Sequence, residues 1–338
     1  MEGNKKYLII YHKEDNDGCF SAALIYNYLK HMSVKTEQIN LYGCDYNDID
    51  IISEVAKGNK IKTKIEQLAD EYDVLLLTDI SFKSDIMKRL YNSKGNNFIW
   101  IDHHAPIIKD SFKNEFYEAN GIRDLSRSAI LNAYKFLYDQ FDNNYIEKQK
   151  SIELLRIMSG FDSWTFDKEG YTKEYAMSVN QGVTNTFLLD IKEIIKYVDT
   201  LIYGTHTDEW YQSEIDKFKE IGETYLRVEA NKMKEIIQKS ARTYRFDNGE
   251  RVACGIFYAG QTFSQIFESV KEEFNYGVCF KQLSNNRWTI SLYNTSDDVD
   301  FHCGEYLKKV YNGGGHKGAA GCQISDEQMI EIIKTGKF

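Results

Sequence analysis

Over the first hundred residues, short apolar runs alternate with stretches of helical spacing. Residues 7–11, 39–42, Val74–Thr78 and Phe98–Ile101 are strand-length and rich in β-branched or aromatic side chains. Residues 21–30 and 62–71 place good helix formers between them, which predicts βα units and a mostly parallel sheet. Ligands of such sheets gather at the carboxyl ends of the strands. From residue 127 to 158 the pattern turns helical. It is helical again and strongly charged over 186–239, which reads as a connector without a core of its own. Strand signals return at 251–257, Tyr276–Leu283 and 287–293, with turns at 248–250 and 284–286. A helical 304–311 then runs into a glycine cluster, 312–321. The expectation is an α/β protein with a parallel N-terminal sheet flanked by helices (1–185), a helical connector (186–240) and a smaller C-terminal α/β domain with a mixed sheet (241–338).

The length of 338 residues suits two cores rather than one small domain. With 42 Lys and Arg against 51 Asp and Glu, the net charge of −9 argues against a protein that coats long duplexes by neutralising phosphates. A local pocket for a short anionic ligand remains compatible with it. No apolar run approaches the roughly 20 residues that span a bilayer. Lys, Glu and Asp interrupt the first residues before a signal-peptide core could form, so the expected location is the cytoplasm. The six cysteines are scattered without a CxxC pair, which disfavours a disulfide framework or a zinc ribbon.

Candidate chemistry concentrates in four places. His12, Asp15 and Asp17 follow the first strand, and Gly18 permits a tight turn into the next helix. Asp79 ends the run Val74–Thr78, Asp102-His103-His104 follow Phe98–Ile101, and Asp162 follows a helix. Each cluster alone fits a bland reading as a solvated turn or a helix cap. Three successive strand ends bearing His/Asp, Asp and Asp-His-His instead point to a shared metal site, since a parallel sheet brings those ends together. Imidazole and carboxylate without thiolate suit Mn²⁺ better than structural zinc.

These clusters resemble the DHH phosphoesterase family, which includes RecJ-type exonucleases, nanoRNA and pAp phosphatases, cyclic-dinucleotide phosphodiesterases and family II pyrophosphatases. Asp102-His103-His104 matches the name-giving motif, and Gly313-Gly314-Gly315-His316 with the following Lys-Gly-Ala-Ala-Gly is similar to the signature of the DHH-associated C-terminal domain. The resemblance implies two Mn²⁺ ions per chain, with Mg²⁺ or Co²⁺ as substitutes. One would be held by His12, Asp15 and Asp79 and the other by Asp17, Asp79, His103 and Asp162. Asp102 and His104 would serve catalysis, Asp102 from behind the ligands and His104 beside the scissile phosphate. Gly313, Gly314, Gly315 and His316 would meet a substrate phosphate, and Arg127, just before a helix start, would meet the substrate.

Two departures from the family pattern stand out. His12 and Asp15 are one residue further apart than in the common HxDxDG. In the strand before the glycine cluster, Ser291-Leu292-Tyr293-Asn294 replaces a Ser-Leu-Arg-Ser run, so either Tyr293 stacks on a base in place of an arginine grip or the phosphate grip passes to Arg127 or Lys317. The resemblance implies hydrolysis of short oligonucleotides or small nucleotides by a two-metal-activated water, without long duplexes or membranes as partners and with a homodimer allowed. The alternatives are a RecJ-like single-strand exonuclease, a cyclic-dinucleotide phosphodiesterase, or a non-catalytic scaffold, against which the full ligand set speaks. The pyrophosphatases carry a different C-terminal signature.

Overall fold

The computed structural model describes residues 5–338 except 46–47, 49–51, 53, 58–59, 115, 139–149, 247–248, 250, 261–263, 284–285 and 297–300. Most of the turns expected at 248–250 and 284–286 and part of the helical stretch 127–158 fall outside the described residues. The chain divides into two compact units, Met1–Glu223 and Thr224–Phe338.

The first unit contains β1 (Tyr7–His12), β2 (Ile39–Cys44), β3 (Glu54–Lys57), β4 (Lys60–Thr63), β5 (Val74–Thr78) and β6 (Phe98–Ile101). β3 and β4 pair with each other as a hairpin, while the other four form a parallel sheet in the order β2-β1-β5-β6. Side chains alternate between its two faces, as the pleat requires. Leu8, Ile10, Leu75, Leu77, Phe98 and Trp100 enter one core with Ile65, Met87 and Leu90 of the helices Lys64–Asp70 and Ser84–Lys94. Ile9, Tyr11, Leu76 and Ile101 enter another with the first helix, Asn16–His31, and with Ala129–Tyr138 and Glu153–Asp162. Burial of β5 on both faces explains its unbroken apolar run.

Chain order places the active region. The first helix leads from β1 to β2 on one side, and the chain then returns to add β5 and β6 on the other side of β1. The strand order therefore reverses between β1 and β5, and their carboxyl ends flank the crevice where α/β sheets bind ligands.

The stretch read as a connector is divided. The helix Ile191–Tyr203 buries Ile194, Val198 and Leu201, one apolar stripe at helical spacing, in the first unit's core. Ile215 and Phe218 of the long helix Asp208–Ser240 join them. The charged outer faces of these helices dominate their composition and conceal that stripe.

The second unit has a six-stranded sheet of β7 (Arg242–Arg245), β8 (Val252–Phe257), β9 (Tyr276–Leu283), β10 (Arg287–Asn294), β11 (Gly314–Gly315) and β12 (Ala319–Ser325), ordered β11-β12-β10-β9-β8-β7. β8 and β9 run parallel and the other pairs antiparallel, so the sheet is mixed as expected. The helices Cys303–Tyr311 and Asp326–Thr335 bury Leu307, Met329 and Ile332 against it. Sequence patterning passes over β7 and the last helix, and also over β11 and β12, where a Gly/Ala-rich segment becomes a strand only when a neighbour supplies its hydrogen bonds. All six cysteines are buried and unbridged. Among the described residues, no helix is long and apolar enough to cross a membrane.

Candidate metal centre

Each of the four parallel strands delivers polar side chains at its carboxyl end. β1 ends on His12, whose Nδ1 lies 2.8 Å from Asp15 Oδ2 and 3.6 Å from Asp79 Oδ2. Asp15 caps the first helix, accepting the Gly18 N–H at 2.9 Å. The glycine is obligatory there, because a Cβ at position 18 would sit 2.0 Å from the His12 carbonyl oxygen. Asp79 follows β5 with a left-handed φ of 56°, an uncommon conformation for a residue other than glycine, and its N–H donates to the Ile101 carbonyl at 3.0 Å. That turn aims the carboxylate back across the sheet end, where Oδ1 lies 3.3 Å from His103 Nε2.

Asp17 is buried and fully engaged. Its Oδ1 accepts from Ser128 Oγ at 2.5 Å and from the Ile130 N–H at 2.8 Å, and its Oδ2 accepts from the Ala129 N–H at 2.8 Å. The carboxylate thus caps the helix Ala129–Tyr138 from a distant segment, at the end where the helix dipole favours a negative charge. Asp17 Oδ2 also lies 3.6 Å from His103 Nε2, and Asp162 Oδ2 lies 3.2 Å from the same nitrogen. Among the described residues that Asp162 oxygen, although buried, receives no hydrogen bond.

Asp102 sits behind these groups without exposure. Its Oδ1 accepts from the His103 N–H at 2.7 Å, the His104 N–H at 3.1 Å and His104 Nδ1 at 2.7 Å, while Oδ2 accepts the Trp100 indole N–H at 3.1 Å. Burial alone would raise its pKa. The two histidines and the donated hydrogen bonds outweigh burial and hold it down to about 2.

Three groups of ligand atoms emerge, each contained within 4.8 Å: His12, Asp15 and Asp79; Asp17, His103 and Asp162; and Asp79, His103 and His104. The six residues expected to hold metal are therefore brought together, and Asp79 is common to two of the groups. Burial and the neighbouring Asp17 and Asp15 push the Asp79 carboxyl well above its ordinary pKa, and burial and Asp17 do the same to Asp162. Burial pulls down on His12 and His103, but the surrounding carboxylates prevail and raise both. So many carboxylates in a desolvated pocket repel one another, and the deficit is one of positive charge. The nitrogen and oxygen donors fit hard or borderline divalent cations.

The remaining candidates are placed differently. Arg127 precedes the Asp17-capped helix start and pairs through Nε with Asp124 at 3.1 Å. Tyr293, expected to stack on a base, is buried with its ring 6.3 Å from that of Phe267, so little ring surface is left for a ligand. Gly313, Gly314, Gly315 and His316 belong to the second unit. Added Cβ atoms at Gly313 and Gly315 would strike Cys322 and Ala320, whereas one at Gly314 would meet nothing within 4 Å. His316 is exposed, and its backbone is fixed by an N–H donated to the Ala319 carbonyl at 2.7 Å.

Sequence reasoning missed Asp45, Ser128, Asn132 and Trp100. Asp45 follows β2 as Asp79 follows β5, so the same strand-end rule could have found it. Its Oδ1 lies 3.5 Å from His12 Nε2. Asn132, fully buried, donates to the carbonyl oxygens of Asp102 and Asp124 at 3.1 Å each, a contact no local pattern announces.

A parallel α/β sheet with His and Asp donors converging at its strand-order reversal is suited to holding divalent cations of the kind that assist hydrolysis. Residues 6–159 match the N-terminal domain of the DHH family. The first part of the chain thus carries a DHH-family N-terminal domain, and the chain resembles the DHH phosphoesterases, enzymes that hydrolyse phosphoester bonds. It is 23% identical over 319 residues to the oligoribonuclease NrnB of Bacillus subtilis (strain 168), covering 87% of this chain and 75% of that protein. Similar solved structures include a pGpG-specific phosphodiesterase from Vibrio, at 16% identity and a TM-score of 0.49 over 98% of this chain and 97% of that one. RecJ from Thermus thermophilus aligns at 12% identity and a TM-score of 0.49, over 98% of this chain and 49% of that one.

Proposed function

We propose that the enzyme hydrolyses phosphodiester bonds in very short oligonucleotides or small nucleotides, using two Mn²⁺ ions. The observation that carries this reading is the set of overlapping His/Asp groups at the strand ends, with Asp79 common to two of them. His12, Asp15 and Asp79 would hold one ion, and Asp17, Asp79, His103 and Asp162 the other. When bound, such a pair of cations screens phosphate oxygens and makes an attacking water acidic enough to react near neutral pH.

Within the first unit, further groups support the metal positions. Asp102 accepts the Nδ1–H of His104 at 2.7 Å, and Asp102 and Asp79 outweigh burial and raise the His104 pKa, which favours the imidazolium, whose Nε2–H can donate to a phosphate oxygen. Asp17 ties its metal position to the start of the Ala129–Tyr138 helix, so Arg127 is held next to a ligand-bearing segment. In the second unit, the open space at Gly314 allows close approach of a phosphate to backbone, and His316 is exposed to donate to it. Tyr293 is assigned to packing and not to base stacking.

A short substrate is supported by the net charge of −9, since each phosphate beyond the site meets an unfavourable field. The name of the Bacillus subtilis relative, an oligoribonuclease, agrees with it. The test is specific activity with Mn²⁺ across labelled di- to pentanucleotides, pAp, cyclic dinucleotides and 20-mers. Activity is expected to peak at two to about five nucleotides, in keeping with sites that engage few nucleotides. Equal or faster degradation of 20-mers at raised salt would replace this reading by a RecJ-like exonuclease.

A further inference from the structure

The reading of the metal centre leaves one contact of His12 without a role. Its Nδ1 faces Asp15 and Asp79, the two carboxylates with which it is proposed to bind metal, at 2.8 and 3.6 Å. Its Nε2 points the opposite way, to Asp45 Oδ1 at 3.5 Å. Asp45 stands directly after β2, the strand next to β1 in the sheet.

The position of Asp45 is itself supported. Its backbone N–H donates to Asp48 Oδ2 at 2.9 Å, and that same oxygen receives Lys13 Nζ at 3.0 Å. Lys13, the neighbour of His12, donates its own N–H to the Cys44 carbonyl at 3.1 Å, extending the β1–β2 ladder to the site. Both ends of the contact are thus fixed to adjacent strands, and His12 is mostly covered, with its side chain 14% exposed.

We propose that Asp45 is a positioning residue for His12. An imidazole that binds a cation through Nδ1 must carry its proton on Nε2, and a carboxylate accepting that proton fixes the tautomer and the ring plane. Asp45 is the group placed to do so, and the partners of the opposite tautomer, Asp15 and Asp79, are those a cation would occupy. The inference rests on the two-ion reading above and concerns one ion only, since His12 is not among Asp17, Asp79, His103 and Asp162, which would hold the other.

Calorimetric titration of Mn²⁺ into the EDTA-stripped full-length protein, comparing wild type, Asp45→Ala, Asp45→Ser and Asp45→Asn, tests it. Truncation to Ala or Ser is expected to weaken one of two binding events by about 10- to 100-fold and leave the other unchanged. Asparagine, whose carbonyl still accepts from Nε2, should recover most of that loss. In the Mg²⁺-loaded protein, ¹⁵N spectra of the His12 ring should show a single Nε2-protonated form in wild type and a mixture in the truncated variants. Unchanged affinity with an unchanged ring signal, or an Asn variant as weak as Ala, would overturn the role of Asp45. Wild-type protein that takes up no Mn²⁺ would instead overturn the metal-centre reading itself.

Discussion

Two buried carboxylate sites in the first unit face opposite charge balances. Glu66, at the start of the helix Lys64–Asp70, accepts Arg89 Nε at 2.8 Å and Nη2 at 3.1 Å, and takes both the N–H and the hydroxyl of Thr63 at 2.9 and 2.7 Å. Burial would raise its pKa, but the guanidinium and the Thr63 donors outweigh burial and hold it below the ordinary carboxylate value. Around the strand ends, Asp79 is also buried and Asp162, at the end of the helix Glu153–Asp162, is partly so, yet their nearest neighbours include further carboxylates and both are pushed upward. One carboxylate is satisfied by the chain itself; the others are arranged for charge the chain does not carry. The contrast separates a structural ion pair from a binding site more sharply than burial or acidity alone.

The largest effect that could break the comparison is at Asp79. Asp79→Ala removes the carboxylate that the proposed reading assigns to both ions, so both Mn²⁺ ions should be lost and turnover should fall at least about 1000-fold, by analogy with removal of other machinery that acts as a unit. Calorimetry and a phosphodiesterase assay check this, and a variant that still binds two ions would end the two-ion assignment.

Metal removal should expose the charge deficit as a pH effect of defined sign. In the folded chain Asp79 and Asp162 titrate above the ordinary 3.8 of an aspartate, and His12 and His103 above the ordinary 6.5 of a histidine. Groups raised on folding contribute stability that is fully present below the unfolded pKa and lost as pH rises through the folded one. The metal-free protein should therefore lose melting temperature as pH rises from about 4 into the alkaline range. Saturating Mn²⁺ should reverse the trend, and at about 100 times its Kd should add about 2.7 kcal/mol for each site. A metal-free melting temperature that climbs steadily over that range would contradict the charge-deficit argument.

Glu66 should behave with the opposite sign. Its folded pKa lies below the ordinary 4.5 of a glutamate, so its contribution is present above that value and lost as pH falls through the folded one. Arg89→Ala should cost about 1–2 kcal/mol at neutral pH, between the values for exposed and for fully buried pairs, since the Arg89 side chain is 38% exposed. Denaturant melts at pH 7 and pH 3 should show that cost shrinking in acid, without change in Mn²⁺ affinity. The smallest effect is expected of Thr63→Ala, which removes the hydroxyl of a capping box and should cost about 1 kcal/mol.

The strand ends were legible because each one combines a local apolar run with an adjacent His or Asp, and both signals lie within a few residues of sequence. His12, Asp79 and Asp102-His103-His104 could be found that way, as could the parallel sheet that unites them. Asp17 as the cap of a helix 111 residues away, and Asn132 behind Asp102, could not, because their partners are neighbours in space only. The expected connector, 186–240, hides its packed part, up to residue 223, for a related reason: composition averages over a helix, while burial selects one stripe of it.

The sequence by itself determined the alternation of strands and helices, the donor types at the strand ends, the glycine beside His12 and the acidic charge balance. Those properties follow from local sterics, hydrophobic periodicity and composition. Tertiary structure alone decided that strand order reverses between β1 and β5, that Asp79 faces two sets of ligands, and that Asp45 reaches the far side of the His12 ring. It also made Tyr293 a packed side chain and turned a glycine-rich run into a paired strand. Each of these depends on which segments become neighbours once the whole chain buries its apolar surface, a collective choice that no single stretch of sequence encodes.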